Sequence, residues 1–243
     1  MTLGDALSEL ESHGTEQNRK VYRRHGVGGP QFGVSWKHLR AMAKRIGTDH
    51  ALAQGLWASG NYDARILATM VADPDAVKSG ELDAWAKSVA EYPLADALAS
   101  FASKTELAQK KLEKWRTAKQ ELVAEAGWQI LSHLAVDGAP TTAQLAPYLQ
   151  EIEERIDGAP NRAKHAMNNA LIAIGGVNDT LAKKAKATAK RIGPVEVDHG
   201  ETSCKTPDAV AYIDKVRARA KAKAQKATAR KAKARAKAKA RVE

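Results

Sequence analysis

The chain has 243 residues, 44% of them hydrophobic, which is enough apolar material for one large domain or two small ones with a real core. A single cysteine, Cys204, excludes an internal disulfide and the paired-cysteine zinc motifs, and no stretch approaches the ~18 apolar residues of a membrane span. The formal charge of +11 sits at one end: thirteen Lys or Arg and no acid lie between Lys215 and Arg241, leaving residues 1–214 with 26 basic and 27 acidic groups, a charge of −1.

The first segment, MTLGDALSELESHG, has no basic stretch leading into an apolar one, so no signal peptide is expected and the default compartment is the cytoplasm. Leu3, Leu7 and Leu10, and then Trp36, Leu39, Ala43 and Ile46, recur at helical spacing, while no run alternates like a half-buried strand. Punctuation falls at GVGGPQFG (26–33), Gly47, SGN (59–61), DPD (73–75), YP (92–93), DGAP (137–140), DGAP again (157–160), GGVND (175–179) and GP (193–194). These signals cut the body into roughly ten to twelve helices. Asn61 before YDARILATM and Thr141 before TAQLAPYL have the short polar side chains that cap exposed amides.

Helices joined by such short turns lie antiparallel to their neighbours, and many stacked pairs make a bundle or an α-solenoid. The length favours a solenoid, and the lack of a strict period selects a degenerate helical pair of the HEAT type. The expected fold is therefore all-α, with a helical-repeat domain over 1–214 and a Lys/Arg/Ala-rich tail over 215–243. After Pro194 the stretch VEVDHGETSCKTPDA reads as an ordered loop, followed by a last short helix from about Asp208. The tail has good helix propensity but no apolar face, and like-charge repulsion is expected to keep it disordered until it meets a polyanion.

The tail is the strongest chemical signal, because cations that displace counterions from phosphates give sequence-independent, salt-sensitive nucleic-acid binding. Arg23, Arg24, His25, Lys37, Arg40, Lys44 and Arg45 add a second basic group, in which Lys37, Arg40 and Lys44 share a helix face at i, i+3, i+7. That face serves phosphate contact or is merely solvated. Trp57, Trp85, Trp115 and Trp128 each sit in an apolar stripe and read as core ahead of DNA-stacking groups. Asp198, His199 and Cys204 suggest a thiol–imidazole pair, but no third orienting group is identifiable. His133 and His165 lack partners at metal spacing, and no phosphate-binding or nucleophile-elbow motif is present, so neither a metal nor a cofactor is expected.

Residues 22–74 resemble the AlkD-like DNA alkylation repair family, in which a basic helix, a Gly-rich turn, a Leu-Arg-x-x-Ala-Lys helix, a Leu-Trp pair and an acidic-x-Arg helix follow one another. Leu39, Arg40, Lys44, Leu56, Trp57, Asp63 and Arg65 occupy matching places, and the likeness extends through Gly127, Trp128 and the helix at 160–174. The resemblance implies a HEAT-like solenoid with a concave face for duplex DNA, alkylated or distorted. It implies a monomer associated with the nucleoid and DNA contacts from Arg23, Arg24, Lys37, Arg40, Lys44, Arg45, Arg65 and Trp57. It also implies excision of N3- or N7-alkylated purines by a carboxylate that stabilises positive charge growing on the deoxyribose. At ~4 Å and an effective dielectric near 20 such a carboxylate contributes about 4 kcal/mol, roughly a thousandfold in rate.

In Glu91-Tyr92-Pro93-Leu94-Ala95-Asp96, Asp96 matches the catalytic carboxylate of the family and Tyr92 stands where an aromatic belongs. The family's arginine falls near Ala124 and Glu125, and its second tryptophan near Asn168 and Asn169. Three readings stay open: a DNA glycosylase acting through Asp96 and Tyr92, a noncatalytic relative that binds damaged or branched DNA, and a protein-interaction scaffold. In the last two Asp96 is only an acid near a helix N-terminus, favoured there by the dipole.

Overall fold

Local capping chemistry starts most of the helices in the computed structural model, which describes residues 1–137 and 141–239, with side chains through 228. The first DGAP turn, at 137–140, lies largely outside the described residues. Thirteen helices form among the described residues, in the order α1 (Leu3–Ser12), α2 (Glu16–Arg24), α3 (Trp36–Ile46), α4 (His50–Ala58), α5 (Tyr62–Val71), α6 (Ser79–Ser88) and α7 (Tyr92–Ala102). They continue as α8 (Ala108–Trp115), α9 (Glu121–Val136), α10 (Thr142–Arg155), α11 (Asn161–Val177), α12 (Asp179–Ile192) and α13 (Ala209–Lys239). Twelve of them precede the loop at 193–208. No strand occurs among the described residues; one isolated bridge joins Gly14 to Val34.

The cap residues behave as their side chains dictate. Asn61 accepts from the amides of Asp63 and Ala64, and Thr141 forms a reciprocal capping box with Gln144. Pro93 sits in the first turn of α7, where its missing N–H costs nothing. Gly47 and Gly193 end α3 and α12 with φ of 74° and 78°, a region that L side chains rarely adopt.

Packing sorts the helices into two layers. Helices α3, α5, α7, α9, α11 and α13 each contact the next in one row, while α4, α6, α8 and α12 back them and α10 packs on α12. This is the HEAT-like solenoid expected from the sequence. One continuous core runs between the layers; Trp57 and Trp85 stack in it with centroids 4.4 Å apart, and Trp115 and Trp128 are fully buried. All four tryptophans are thus core residues.

One element differs from the sequence expectation. The last helix is not short: α13 runs unbroken from Ala209 to Lys239, across the 214/215 boundary. Its first turns have an apolar anchor, since Ile213 is fully buried against Gly175 of α11, and the Ala-rich remainder propagates a helix that is already nucleated. The loop at 193–208 does not hang free. Asn161 and Asp198 exchange two hydrogen bonds of 2.7 Å, and Asn168 donates to the Pro207 carbonyl at 3.0 Å.

Candidate nucleic-acid interface

Helix periodicity along the row from α3 to α13 generates a polar track on otherwise apolar helices. On α9, Gln129 and His133 lie one turn apart, and on α11, Arg162, His165 and Asn169 recur at i, i+3, i+7. Beside them α7 presents Tyr92, Asp96 and Ser100. A cleft of about 470 Å³ opens here, bordered by Trp36 of α3, Met70 of α5, Asp96 of α7, Lys104, and Gln129 and His133 of α9.

Asp96 lies at the fifth position of α7, beyond the first turn, so it is not the dipole-stabilised N-terminal acid allowed by the sequence. Its carboxylate accepts from Gln129 Nε2 at 2.9 Å. Burial pushes its pKa up to about 6, against the opposing pull of Gln129 and of the Arg162 charge. The His133 imidazole across the cleft is shifted down by its own burial. The cleft therefore holds an acid that is ionised at neutral pH but poorly solvated.

Tyr92 is engaged on both sides. Its hydroxyl pairs with His25 Nδ1, and the Arg162 guanidinium lies 3.8 Å over its ring. Burial raises the phenol pKa while Arg162 lowers it. Arg162 also donates to Glu125 Oε1 from Nε at 3.1 Å and Nη2 at 2.8 Å. Glu125 is fully buried with Oε2 unpartnered, and burial together with the nearby Asp96 charge raises its pKa well above the usual carboxylate range despite Arg162. An arginine thus does reach this neighbourhood, from α11 and not from the α9 position beside Ala124 and Glu125. Spacing gave a signal for it, since Arg162, His165 and Asn169 interrupt an apolar helix on one face; Gln129 and His133 do the same on α9.

The loop at 193–208 borders this cluster. His199 meets His165 edge-on at 5.4 Å, and residues 201–204 enclose a small hollow with Arg24 and His25. No hydrogen bond links Cys204 to His199 among the described residues; His199 Nε2 instead pairs with Thr206 Oγ1 at 3.0 Å. No cluster of metal-ligating side chains occurs among those residues either, and none of their helices is long and apolar enough to cross a membrane.

The basic residues expected at DNA fall into three groups. Lys37, Arg40, Lys44 and Arg24 are exposed and make no ion pair among the described residues, with Arg40 5.7 Å from the ring of Trp36 at the cleft edge. Arg23 pairs with Glu16, and Arg45 with Glu9. Arg65 donates to the carbonyls of Trp57 and Ser88 while lying over the Trp57 ring, so it ties α4, α5 and α6 together. Trp57 is only 5% exposed, so its place in the expected DNA-contact set is corrected: a ring stacked on Trp85 in the core has no face for a base. Asp63 is structural as well, accepting from the amides of Phe32, Gly33 and Val34 at 2.7–2.9 Å and so shaping the Gly-rich turn.

Comparison with known proteins places this geometry among relatives. The chain is 32% identical over 223 residues to an uncharacterized protein of Listeria innocua, covering 89% of this chain and 98% of the relative. It is 30% identical, with the same coverage, to an uncharacterized protein of Listeria monocytogenes. A solved structure superimposes with a TM-score of 0.83 at 32% identity, covering 90% of this chain and 95% of the other. It is described as a new family of proteins related to the HEAT-like repeat DNA glycosylases with affinity for branched DNA structures. The family model described as DNA alkylation repair enzyme matches residues 6–213, and the chain belongs to that family.

Proposed function

We propose that the protein binds branched DNA along the inner face of its helical row, as a monomer and without base excision. The observation that carries this reading is the spread of free cations. Lys37, Arg40 and Lys44 lie on α3 near one end of the row and Lys215, Arg219 and Lys223 on α13 at the other, while between them the cleft sets Lys104 beside the Asp96 carboxylate. One straight duplex wants phosphate contacts throughout, whereas arms diverging from a junction place phosphates at two ends. The related structure's affinity for branched DNA supports the same reading.

The test is fluorescence anisotropy on a three-way junction and a duplex of equal length. The junction is expected to bind at least tenfold more tightly. Charge reversal at Lys37, Arg40 and Lys44 is expected to weaken it and to flatten its salt dependence, by about 0.9 in log–log slope for each phosphate left unneutralised. Equal affinity for junction and plain duplex overturns the reading.

A second reading is favoured by Asp96, a poorly solvated carboxylate facing a cleft large enough for a sugar. On that reading the protein excises N3- or N7-alkylated purines, with Asp96 stabilising the charge on the deoxyribose. The engagement of Tyr92 by Arg162 and His25 weighs against it, because an aromatic clamp on the sugar would have to break that cluster. Release of N7-methylguanine by the wild type and its loss in Asp96→Asn would establish excision; no release by the wild type removes it.

A further inference from the structure

A second hollow, of about 520 Å³, lies farther along the same track, between the C-terminal half of α9, α11 and the start of α13. It continues the cleft, because Val136 follows Gln129 and His133 at i+7 and i+3 on α9, and Asn169 follows Arg162 and His165 at i+7 and i+4 on α11. Its walls are apolar: Ile172, Ala173 and Val177 from α11 and Val216 from α13. Val136, 74% exposed, and Tyr212, 40% exposed, both border it, and they are two of the four large apolar side chains most open to solvent among the described residues. Asn169 brings an amide to the hollow that makes no side-chain hydrogen bond among those residues.

The charges of α13 divide between two faces. Arg217 donates to the carbonyls of Gly176 and Val177 and pairs with Asp179 at 2.7 Å, and Lys221 turns toward Asp179 too, at 3.6 Å. That face clamps the helix to α11 and α12. Lys215, Arg219 and Lys223, at i, i+4, i+8, form a different, exposed stripe without ion pairs among the described residues, and Lys215 Nζ lies 5.5 Å over the Tyr212 ring. An apolar slot with an aromatic wall, one free amide and the Lys215 ammonium beside that aromatic ring matches one ligand chemistry: a flat base carrying a phosphate.

We propose that this hollow receives an unpaired nucleobase from a DNA branch point, stacked on Tyr212, with its edge on the Asn169 amide and its phosphates on Lys215 and Arg219. The inference rests on the branched-DNA reading and adds to it what the protein recognises at the branch. Stacking on an aromatic tolerates any base, so the site selects for an unpaired base and not for its sequence.

The experiment uses the full-length protein and two three-way junctions, one fully paired and one with a single unpaired 2-aminopurine at the branch. The wild type is expected to quench 2-aminopurine fluorescence and to prefer the unpaired junction. Tyr212→Ala is expected to abolish the quench and lower the ratio of the two affinities about tenfold, within the range for removal of one base–aromatic stack. Tyr212→Phe, which keeps the ring, should retain both, and Val136→Glu, which puts a charge at the mouth, should behave like Tyr212→Ala. Equal binding of the two junctions without quenching overturns the base site while leaving branched-DNA binding intact. Failure of the wild type to bind either junction overturns both.

Discussion

At the scale of single residues, the buried charges around Tyr92 govern stability as well as chemistry. Asp96 has a pKa near 6 in the fold against 3.8 for an ordinary aspartate. Between those values the unfolded chain releases a proton that the folded chain still holds, so this group favours folding most at low pH, and its contribution is lost as pH rises through about 6. Allowing for partial solvent screening, the loss is about 2 kcal/mol at pH 8. Asp96→Asn, uncharged throughout, should therefore match the wild type in Tm near pH 4 and exceed it at pH 8, by roughly 2–4 °C per kcal/mol for a chain of this size; a gap that does not change with pH contradicts the assignment. Arg162 and Glu125 form a stricter pair, since Glu125 is fully buried. Arg162→Ala should cost about 1–3 kcal/mol in chemical denaturation by leaving the buried Glu125 carboxyl without its donor, whereas the double variant Glu125→Leu/Arg162→Met should recover most of it. Asp96 and Tyr92 were legible because they stand one helical turn apart in a segment that resembles a known pattern. The Arg162–Glu125 pair was not, because its members are 37 positions apart and only the stacking of α9 on α11 brings them together.

At the scale of helices, glycines report how closely the two layers approach. A Cβ at Gly127 on α9 would lie 2.2 Å from the backbone nitrogen of Arg116, just past α8, and backbone cannot yield as a side-chain tip does. Gly127→Ala should force the helices apart and cost about 2 kcal/mol or more. Gly80, at the second position of α6, faces open space and has no positive φ. Gly80→Ala should instead stabilise the protein by about 0.4–1 kcal/mol, through lower entropy of the unfolded chain. Opposite signs for two Gly→Ala changes in urea melts are the discriminating result. The helices themselves could be read from the sequence through cap residues such as Asn61 and Thr141 and through turn residues such as Gly47 and Pro93. Their pairing across layers could not, because the repeat is too degenerate to announce which turn of α8 meets Gly127.

For the whole molecule, the decisive question is whether the neutral body or the cationic end holds DNA. Ten of the thirteen C-terminal cations lie in 221–243, while the residues that fasten α13 to the body, Ile213, Val216 and Arg217, come earlier. The sequence placed a boundary at 214/215 because composition changes there. It held no sign that one helix would carry the change, since an Ala-Lys alternation has no apolar stripe and the apolar anchor is short, Ile213 and Val216 against Gly175 and Gly176. Among the described residues, deleting 221–243 removes from the joint between α13 and the body only the Lys221–Asp179 pair, whose side chains are 63% and 71% exposed, and such pairs contribute little. The melting temperature of the truncated protein should therefore stay within about 1–2 °C of the full chain. Its binding to a three-way junction should persist at low salt, because the stripes on α3 and at Lys215 and Arg219 remain, but with a distinctly shallower dependence on salt once the tail no longer neutralises phosphates. If the truncated protein instead loses all junction binding while melting normally, the row from α3 to α13 is no DNA surface. The fold would then be a scaffold for protein contacts, with a polyanion-binding appendage at its end.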